Sequence, residues 1–276
     1  MNGQQANHWK STVTDSHKNT EHNQTILSPL SMFFSTIFSF AVLLCILRCS
    51  VAQPVFSEYP ETVFADEEMK RAAEMTTLIP IAMSTNEVAL FIRYISKATN
   101  YFESGCGGST MIACKAGSAE LRVTSIDSSK EWIGTVLNST HVAEKSAKKL
   151  LNMIPIDLGH IGAWGFPKDV SAESKSNWYK YSKAISATGE KYDLVLVDGR
   201  FRVACLIEAY LSNPQASVLI HDFLEPGHHH AYKILLEVSE VVARAHSLVA
   251  LRRKPNASKE ELVKLYDKFV NVASRR

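Results

Sequence analysis

From about residue 100, short apolar runs alternate with longer stretches in which apolar residues recur at helical spacing. Six of the apolar runs have the length and composition of β-strands. They are Tyr101–Phe102, Leu121–Ile126, Leu151–Ile156, Asp193–Val197, Ala216–Ile220 and Ser247–Leu251. The helices predicted between them are Ser109–Ala116, Lys130–Leu137, Glu173–Ile185, Arg202–Leu211 and Ala231–Ala245. This alternation predicts an α/β fold, with a doubly wound, mainly parallel sheet and helices on both faces.

Further helices are predicted on either side of this region. Residues 66–75 have a helix-forming composition, with acidic residues in the first turn. A capping box of the S-x-x-E type precedes a helix that ends at residue 97, and another precedes a helix over 258–273. We therefore divide the folded part into an N-terminal helical segment at 55–99 and an α/β domain at 100–276.

The amino end has a different pattern. Residues 1–25 are polar and contain almost no aliphatic side chain, which predicts a disordered tail. The uncharged apolar run Leu30–Leu47 follows, close to the roughly 20 residues that cross a bilayer. We predict a signal anchor or a cleaved signal peptide within 26–50, since 50–52 has the small-x-small pattern of a cleavage site. The folded part would then be membrane-anchored in the secretory pathway, or lumenal or secreted after cleavage.

The composition excludes several classes of protein. With 46% hydrophobic and 21% charged residues, the chain is neither wholly disordered nor a multi-span membrane protein. The 30 Lys and Arg residues against 28 Asp and Glu leave a net charge of +2, which does not indicate a nucleic-acid partner. Five Cys in 276 residues are too few for a disulfide scaffold, and their spacing matches no zinc site.

A glycine-rich turn separates the first predicted strand from the helix after it. Its sequence is Tyr101-Phe-Glu-Ser-Gly-Cys-Gly-Gly-Ser-Thr110. Glycine lets the backbone turn sharply and approach a ligand closely, and a helix amino terminus offers free N–H groups. Three Gly within four residues exceed what a plain turn needs, so the pattern predicts a ligand-binding loop.

Acidic residues follow four of the predicted strands, namely Asp127, Asp157, Asp198 and Asp222. In open α/β sheets, ligands bind at the edge where the carboxyl ends of the strands meet. We expect these four carboxylates to outline a crevice at that edge.

An acid-x-G-x-G turn with an acid after the next strand resembles the S-adenosylmethionine site of class I methyltransferases. The resemblance implies that Glu103 lies near the methionine end of S-adenosylmethionine. It implies that Asp127 accepts hydrogen bonds from the ribose hydroxyls and that Asp157 meets the adenine amine. It also implies cofactor contacts for the backbone of Gly105, Gly107 and Gly108.

A second resemblance concerns the later strands. The segments 197–205 and 218–222 resemble the fourth and fifth strands of a group of methyltransferase-like proteins, which also carry a segment like 161–167. In related small-molecule methyltransferases, the acid after the fourth strand faces the sulfonium and the acceptor, a place that Asp198 takes here. Asp198 and His221 are the candidate bases if the acceptor is a hydroxyl, whereas a carboxylate acceptor would need no base.

Two residues are candidates for binding the acceptor. Arg200, beside the crevice, has a guanidinium that suits an anion, and Trp164, in a loop marked by Gly and Pro, would close over the acceptor. Some related enzymes hold a divalent metal at the places of Asp198 and Asp222, and oxygen ligands suit Mg²⁺ or Ca²⁺, yet we predict no metal site. We interpret 228–230, three consecutive His, as a solvated turn.

Together these features predict an S-adenosylmethionine-dependent methyltransferase that acts on a small-molecule or glycan-like acceptor. One alternative is an NAD-type oxidoreductase of the same fold, although Thr110 stands where the dinucleotide motif has Gly. Another is a membrane-tethered protein that binds the cofactor without turnover. The sequence leaves the acceptor and the attacked atom open.

Overall fold

A computed structural model describes residues 59–223 and 232–273, which belong to one compact unit spanning 55–276. The predicted tail at 1–25, the apolar segment at 26–50 and the histidine turn at 228–230 lie outside the described residues. Within the described part of the chain, no helix combines the length and the apolar character needed to cross a membrane.

The described residues form seven strands, eight α-helices and two short 3₁₀ helices, at 163–165 and 233–237. The strands are β1 Asn100–Ser104, β2 Arg122–Asp127, β3 Leu151–Pro155, β4 Leu194–Val197, β5 Ser217–Ile220, β6 Ser239–Ala245 and β7 Leu248–Arg253. The α-helices are α1 Asp66–Leu78, α2 Thr85–Ile95, α3 Gly108–Ala116, α4 Lys130–Leu137, α5 Ala143–Ala147, α6 Ala172–Ala187, α7 Arg202–Ser212 and α8 Lys259–Phe269.

The strands form one sheet in the order β3-β2-β1-β4-β5-β7-β6. The first five strands in this order are parallel, and β7 runs antiparallel to both β5 and β6. The mainly parallel sheet of the sequence prediction is confirmed. The strand order reverses between β1 and β4, and this switch point is where α/β sheets bind ligands.

The sheet separates two apolar cores, because successive side chains of a strand point to opposite faces. In β4, Val195 and Val197 pack into the core beneath α6, α7 and α8, whereas Leu194 and Leu196 pack beneath α1 to α4. All four β4 residues are buried, as expected for the central strand of a sheet covered on both faces.

The prediction of a helix at Ala231–Ala245 is wrong. The described part of that segment contains a 3₁₀ helix at 233–237 and then β6, which forms an edge hairpin with β7. Its three Ala, two Leu and two Glu suit a helix, but pairing with β7 and burial of its ends outweigh that preference. His246 has the left-handed φ of 46° that a tight hairpin turn uses.

Both predicted capping boxes are confirmed. At α2 the Glu87 backbone N–H donates to Ser84 Oγ at 3.4 Å, and the Ser84 backbone N–H donates to Glu87 Oε2 at 2.7 Å. The box holds the Glu87 side chain at the start of α2. Only Oε2 of its carboxylate takes part in the box, so Oε1 can contact other residues. The C-terminal helix ends at Phe269, four residues before the predicted end.

Candidate functional site

A cavity of about 690 Å³ opens at the carboxyl edge of the parallel strands. Its walls are the glycine turn after β1, the turn after β2, the loop at 161–165 and the turns after β4 and β5. Eight of the predicted site residues line it. They are Gly105, Gly107, Gly108, Asp127, Trp164, Asp198, Arg200 and His221.

The glycine turn is shaped mainly by the close approach of protein to protein. Gly105 has a φ of 93°, and a Cβ there would lie 2.8 Å from the Gly199 backbone. A Cβ on Gly108 would lie 2.5 Å from the carbonyl oxygen of Pro80. Gly107 has more room, because a Cβ would come no closer than 3.7 Å to the Trp132 ring. Close packing therefore explains why glycine is required at two of these three positions. All three glycines also border the cavity.

Glu103 lies behind the glycine turn, not on the cavity wall, which corrects the predicted contact with the methionine end of the cofactor. Its carboxyl group is completely buried. Ser109 Oγ and Ser125 Oγ each donate to it at 2.8 Å, Tyr101 donates at 2.9 Å, and Thr110 donates as well. Burial raises the pKa of Glu103 to about 7, against the opposing effect of these hydroxyl groups.

Thr110 connects the buried carboxyl group to the turn. The backbone N–H of Gly107 donates to Thr110 Oγ1 at 2.9 Å, and the same hydroxyl donates to Glu103. The residue that replaces the third glycine of the dinucleotide motif therefore has a structural partner. Glu103 and Thr110 together fix the conformation of the turn from within.

Asp127 ends β2 and borders the cavity from the side of the glycine turn. One carboxylate oxygen accepts the Cys106 N–H at 3.2 Å, and the other accepts the Ser129 N–H at 2.9 Å. Burial raises the pKa of Asp127 above its usual value, although these N–H donors oppose the shift. Because a carboxylate offers about four lone-pair positions, both oxygens keep the capacity to accept from a ligand.

Trp132 is a site residue that the sequence reasoning missed. Its indole Nε1–H donates to the Cys106 carbonyl oxygen at 2.7 Å, and its ring borders the cavity while remaining 45% exposed. It stands in the first turn of α4, after the acidic end of β2. An aromatic residue at an otherwise solvent-facing position of that helix was the signal available in the sequence.

Asp157 is not part of the cavity wall. It is exposed, and its Oδ1 accepts the backbone N–H of Gly159 at 2.8 Å. The predicted adenine contact is therefore not supported. Since β3 already ends at Pro155, the Asp157 side chain serves the turn that follows the strand.

The loop at 161–167 contributes four residues to the cavity wall, at 161, 162, 164 and 165. It closes on itself through a bridge between Ile161 and Pro167, and Gly165 packs closely against Ser128. Trp164 has a left-handed φ of 60° and is 65% exposed, an unfavourable combination for a large aromatic residue. The loop thereby places an exposed indole ring beside the cavity, and closure of Trp164 over an acceptor stays a prediction.

The turns after β4 and β5 bring together a cluster of charged side chains. Asp198 Oδ1 lies 3.0 Å from His221 Nδ1 and 3.2 Å from an Arg202 guanidinium nitrogen. The same nitrogen lies 2.9 Å from Asp222 Oδ2. On the far side of the imidazole, His221 Nε2 lies 3.5 Å from Glu87 Oε1. Two cations and three carboxylates therefore form one continuous network.

This network decides the protonation of its members. Burial lowers the pKa of His221, but Asp198, Glu87 and Asp222 outweigh it and raise the pKa to about 10. Burial raises the pKa of Asp198, but His221 and Arg202 outweigh it and hold that pKa below its ordinary value. These contacts favour the imidazolium form of His221, in which the ring has no lone pair to accept a proton, so the geometry does not support its predicted role as a base.

The side-chain ligand atoms of Asp198, His221 and Asp222 lie within 4.8 Å of one another, a spacing that a metal ion could bridge. Arg202 already lies within ion-pair distance of both carboxylates, at 3.2 Å from Asp198 and 2.9 Å from Asp222. This donor set does not suit a divalent cation. Arg202 provides the charge that a metal would bring.

Arg200 borders the same cavity and is only 5% exposed. Burial and the neighbouring Arg202 lower its pKa, but a guanidinium remains charged in proteins. Between the two arginines, Phe201 adopts a left-handed φ of 52° and packs on Trp178 and Tyr181. Such a conformation costs about 1–3 kcal/mol, which the apolar packing of the ring offsets.

Comparison with known proteins is consistent with this architecture. No protein-family model and no curated protein matches the sequence. Among solved structures, a methyltransferase-like protein from Silicibacter pomeroyi is 24% identical, with a TM-score of 0.57 over 70% of this chain and 97% of that protein.

Two further solved structures are O-methyltransferases. TomG from Streptomyces achromogenes, solved in complex with SAM, is 16% identical, with a TM-score of 0.42 over 68% of this chain and 90% of TomG. The Bacillus cereus enzyme, solved in complex with SAH, is 11% identical, with a TM-score of 0.41 over 68% of this chain and 91% of that enzyme. From the similarity to the Silicibacter pomeroyi protein, we conclude that the chain has the Rossmann-like fold of the class I methyltransferases.

Proposed function

We propose that this chain is an S-adenosylmethionine-dependent methyltransferase with a small acceptor. The observation that carries the proposal is the pairing of Asp127 with the glycine turn on one wall of a cavity at the switch point of the sheet. A carboxylate after the second strand is the group that accepts from ribose hydroxyls in nucleotide-binding sheets of this type. The cavity volume lies in the range of ordinary ligand sites.

The residues present fit this cofactor. Asp127 offers two oxygens for the ribose hydroxyls, and the amino terminus of α3 favours the cofactor carboxylate through its dipole. Trp132 offers an apolar ring face beside Gly107. When bound, S-adenosylmethionine supplies an electrophilic methyl group.

The protein's own contribution is to position the reactants and to exclude water. Glu103 and Thr110 fix the glycine turn, and the loop at 161–167 contributes to the cavity wall. Holding the acceptor atom in line with the methyl carbon accounts for most of the rate gain in such transfers. The anchored Thr110 argues against the NAD-type oxidoreductase, because the third glycine of that motif is absent here.

We propose in addition that Leu30–Leu47 attaches the protein to a membrane of the secretory pathway, or directs it there before cleavage. The support is the absence of charge from this run and its length, which is near that of a bilayer span.

Calorimetry with S-adenosylhomocysteine on the full chain tests the proposed cofactor. We expect Asp127→Ala to weaken binding by roughly 1–3 kcal/mol, or about 5- to 150-fold, since it removes a charged acceptor of two hydrogen bonds. Asp267→Ala, at an exposed position of α8, is the matched control and should bind like wild type. Absence of binding by the wild-type chain, or tighter binding of NAD, would refute the proposal.

A further inference from the structure

The cavity wall formed by the turns after β4 and β5 contains Asp198, Arg200, Arg202 and His221. Each carboxylate of this region already contacts a cation. Asp198 contacts His221 and Arg202, and Asp222 contacts Arg202 at 2.9 Å. A carboxylate that two cations hold in its ionised form is a poor acceptor for a substrate proton.

Glu87 fixes the other side of this arrangement. Its Oε1 accepts the Ser247 backbone N–H at 3.0 Å and the Ser247 hydroxyl at 2.6 Å, and it lies 3.5 Å from His221 Nε2. Helix α2 and the β6–β7 turn thereby hold a carboxylate against the imidazole. His221 faces Glu87 on one side and Asp198 with Asp222 on the other, with Arg202 beyond them, and these contacts favour its protonated form.

The remaining titratable groups of the described cavity wall are also unsuited to removing a proton at neutral pH. Burial raises the pKa of the Cys106 thiol and of the Tyr181 hydroxyl far above their usual values. Asp127 belongs to the ribose end in the proposed function. Among the described lining residues, therefore, none is suited to act as the base that an aliphatic or glycan hydroxyl needs in the transition state.

Arg200 supplies the complementary observation. Arg200 and Arg202 place two buried guanidinium groups at the same cavity wall, and burial, together with the nearby Arg202, lowers the pKa of Arg200. A ligand carboxylate would match the planar donor geometry of a guanidinium at this wall. The described cavity wall thus provides a cation, Arg200, but no residue suited to accept a proton at neutral pH.

We propose, on the basis of the proposed methyltransferase function, that the acceptor is a carboxylic acid and that its carboxylate oxygen is methylated. Arg200 binds the acceptor carboxylate through one oxygen or both. A lone pair of the attacking oxygen forms the new O–C bond with the methyl carbon. The C–S bond breaks, and its electron pair stays on sulfur. The products are a neutral methyl ester and S-adenosylhomocysteine, and no proton is transferred.

The test uses the full chain, labelled S-adenosylmethionine and a broad metabolite extract, together with benzoate, hexanoate, benzyl alcohol, hexanol and phenol as defined probes. Methyl esters release volatile methanol in mild base, whereas methyl ethers, thioethers and methylamines do not. We expect the transferred label to be volatile after base, and the transfer rate to be constant between pH 6 and 9. A base-stable label, or a rate that rises tenfold per pH unit, would overturn the proposal.

Two variants separate acceptor binding from cofactor binding. Arg200→Gln should lower transfer into the base-labile fraction by about 10- to 150-fold, the effect of a lost charge-assisted hydrogen bond. It should leave the Kd for S-adenosylhomocysteine within about threefold. Arg122→Gln, at an exposed position of β2, is the matched control and should behave like wild type.

The outcomes distinguish the two proposals. Loss of S-adenosylhomocysteine binding by the wild-type chain would refute the methyltransferase function itself. Intact binding without transfer of label into any fraction would overturn the carboxylate acceptor and favour a cofactor-binding protein without turnover. Equal transfer by Arg200→Gln and wild type would show that Arg200 does not bind the acceptor.

Discussion

Replacing Glu103 by Gln should remove a pH-dependent loss of stability from this protein. The Glu103 carboxyl group has no exposed surface, and its charge is balanced by hydroxyl groups alone among its hydrogen-bond partners. Burial raises its pKa to about 7 from an ordinary value of 4.5. The folded state therefore binds a proton in a pH range where the unfolded state has already released it.

The sign and size of the effect follow from this difference. The stability that Glu103 contributes is fully present below pH 4.5 and is lost as pH rises through 7. The difference between the pKa of Glu103 in the folded protein and its ordinary value corresponds to about 3 kcal/mol of folding stability, at roughly 1.4 kcal/mol per pKa unit. His221, whose pKa is raised to about 10, adds a decline of its own above pH 6.5. The comparison must therefore be made between wild type and variant at each pH.

Urea unfolding of the full chain at pH 5 and pH 8, followed by tryptophan fluorescence, measures the effect. The wild-type chain should lose roughly 2–3 kcal/mol more than Glu103→Gln between these two pH values. Gln keeps the size and one carbonyl acceptor, and the surrounding hydroxyl groups can rotate to accept its N–H donors. Glu190→Gln, at an exposed position, should retain the wild-type pH dependence. An identical pH dependence in wild type and Glu103→Gln would refute the reasoning.

Two further predictions concern the charged cluster and the amino end. Glu87→Gln removes a carboxylate that favours the imidazolium, so the pKa of His221 should be lower than in wild type in an NMR titration of the full chain, and an unchanged value would contradict the described contact. If Leu30–Leu47 is an uncleaved anchor, carbonate extraction should leave the full-length protein in the membrane pellet. A mature amino terminus near Gln53 would indicate a cleaved signal instead.

The sequence determined the architecture because the relevant signals are local. Alternation of apolar runs with helical periodicity, S-x-x-E caps and a glycine turn at a strand end each depend on residues within a few positions of one another. These signals predicted β1 to β5, β7 and the place of the cavity. They also placed Asp127, Asp198 and Arg200 at one edge, since parallel strands end on the same side of a sheet.

Local signals failed where pairing partners are distant in the chain. The composition of the segment that contains β6 suits a helix, and only its hairpin with β7 makes it a strand. Asp157 follows a strand as the other acids do, but β3 ends two residues earlier, so the side chain serves a turn. The last residues of an element depend on packing that a sequence pattern does not contain.

Tertiary structure alone decided the chemistry of the cavity. Glu103 and Glu87 are 16 residues apart, yet only hydroxyl groups donate to Glu103, whereas Glu87 also accepts from backbone N–H groups and lies beside His221. The residue type of His221 suggested a base. Its protonated form is favoured by carboxylates from α2 and from the turn after β4, which only the tertiary structure brings next to it. A pKa depends on burial and on charges within a few ångströms, and those neighbours come from segments far apart in the sequence.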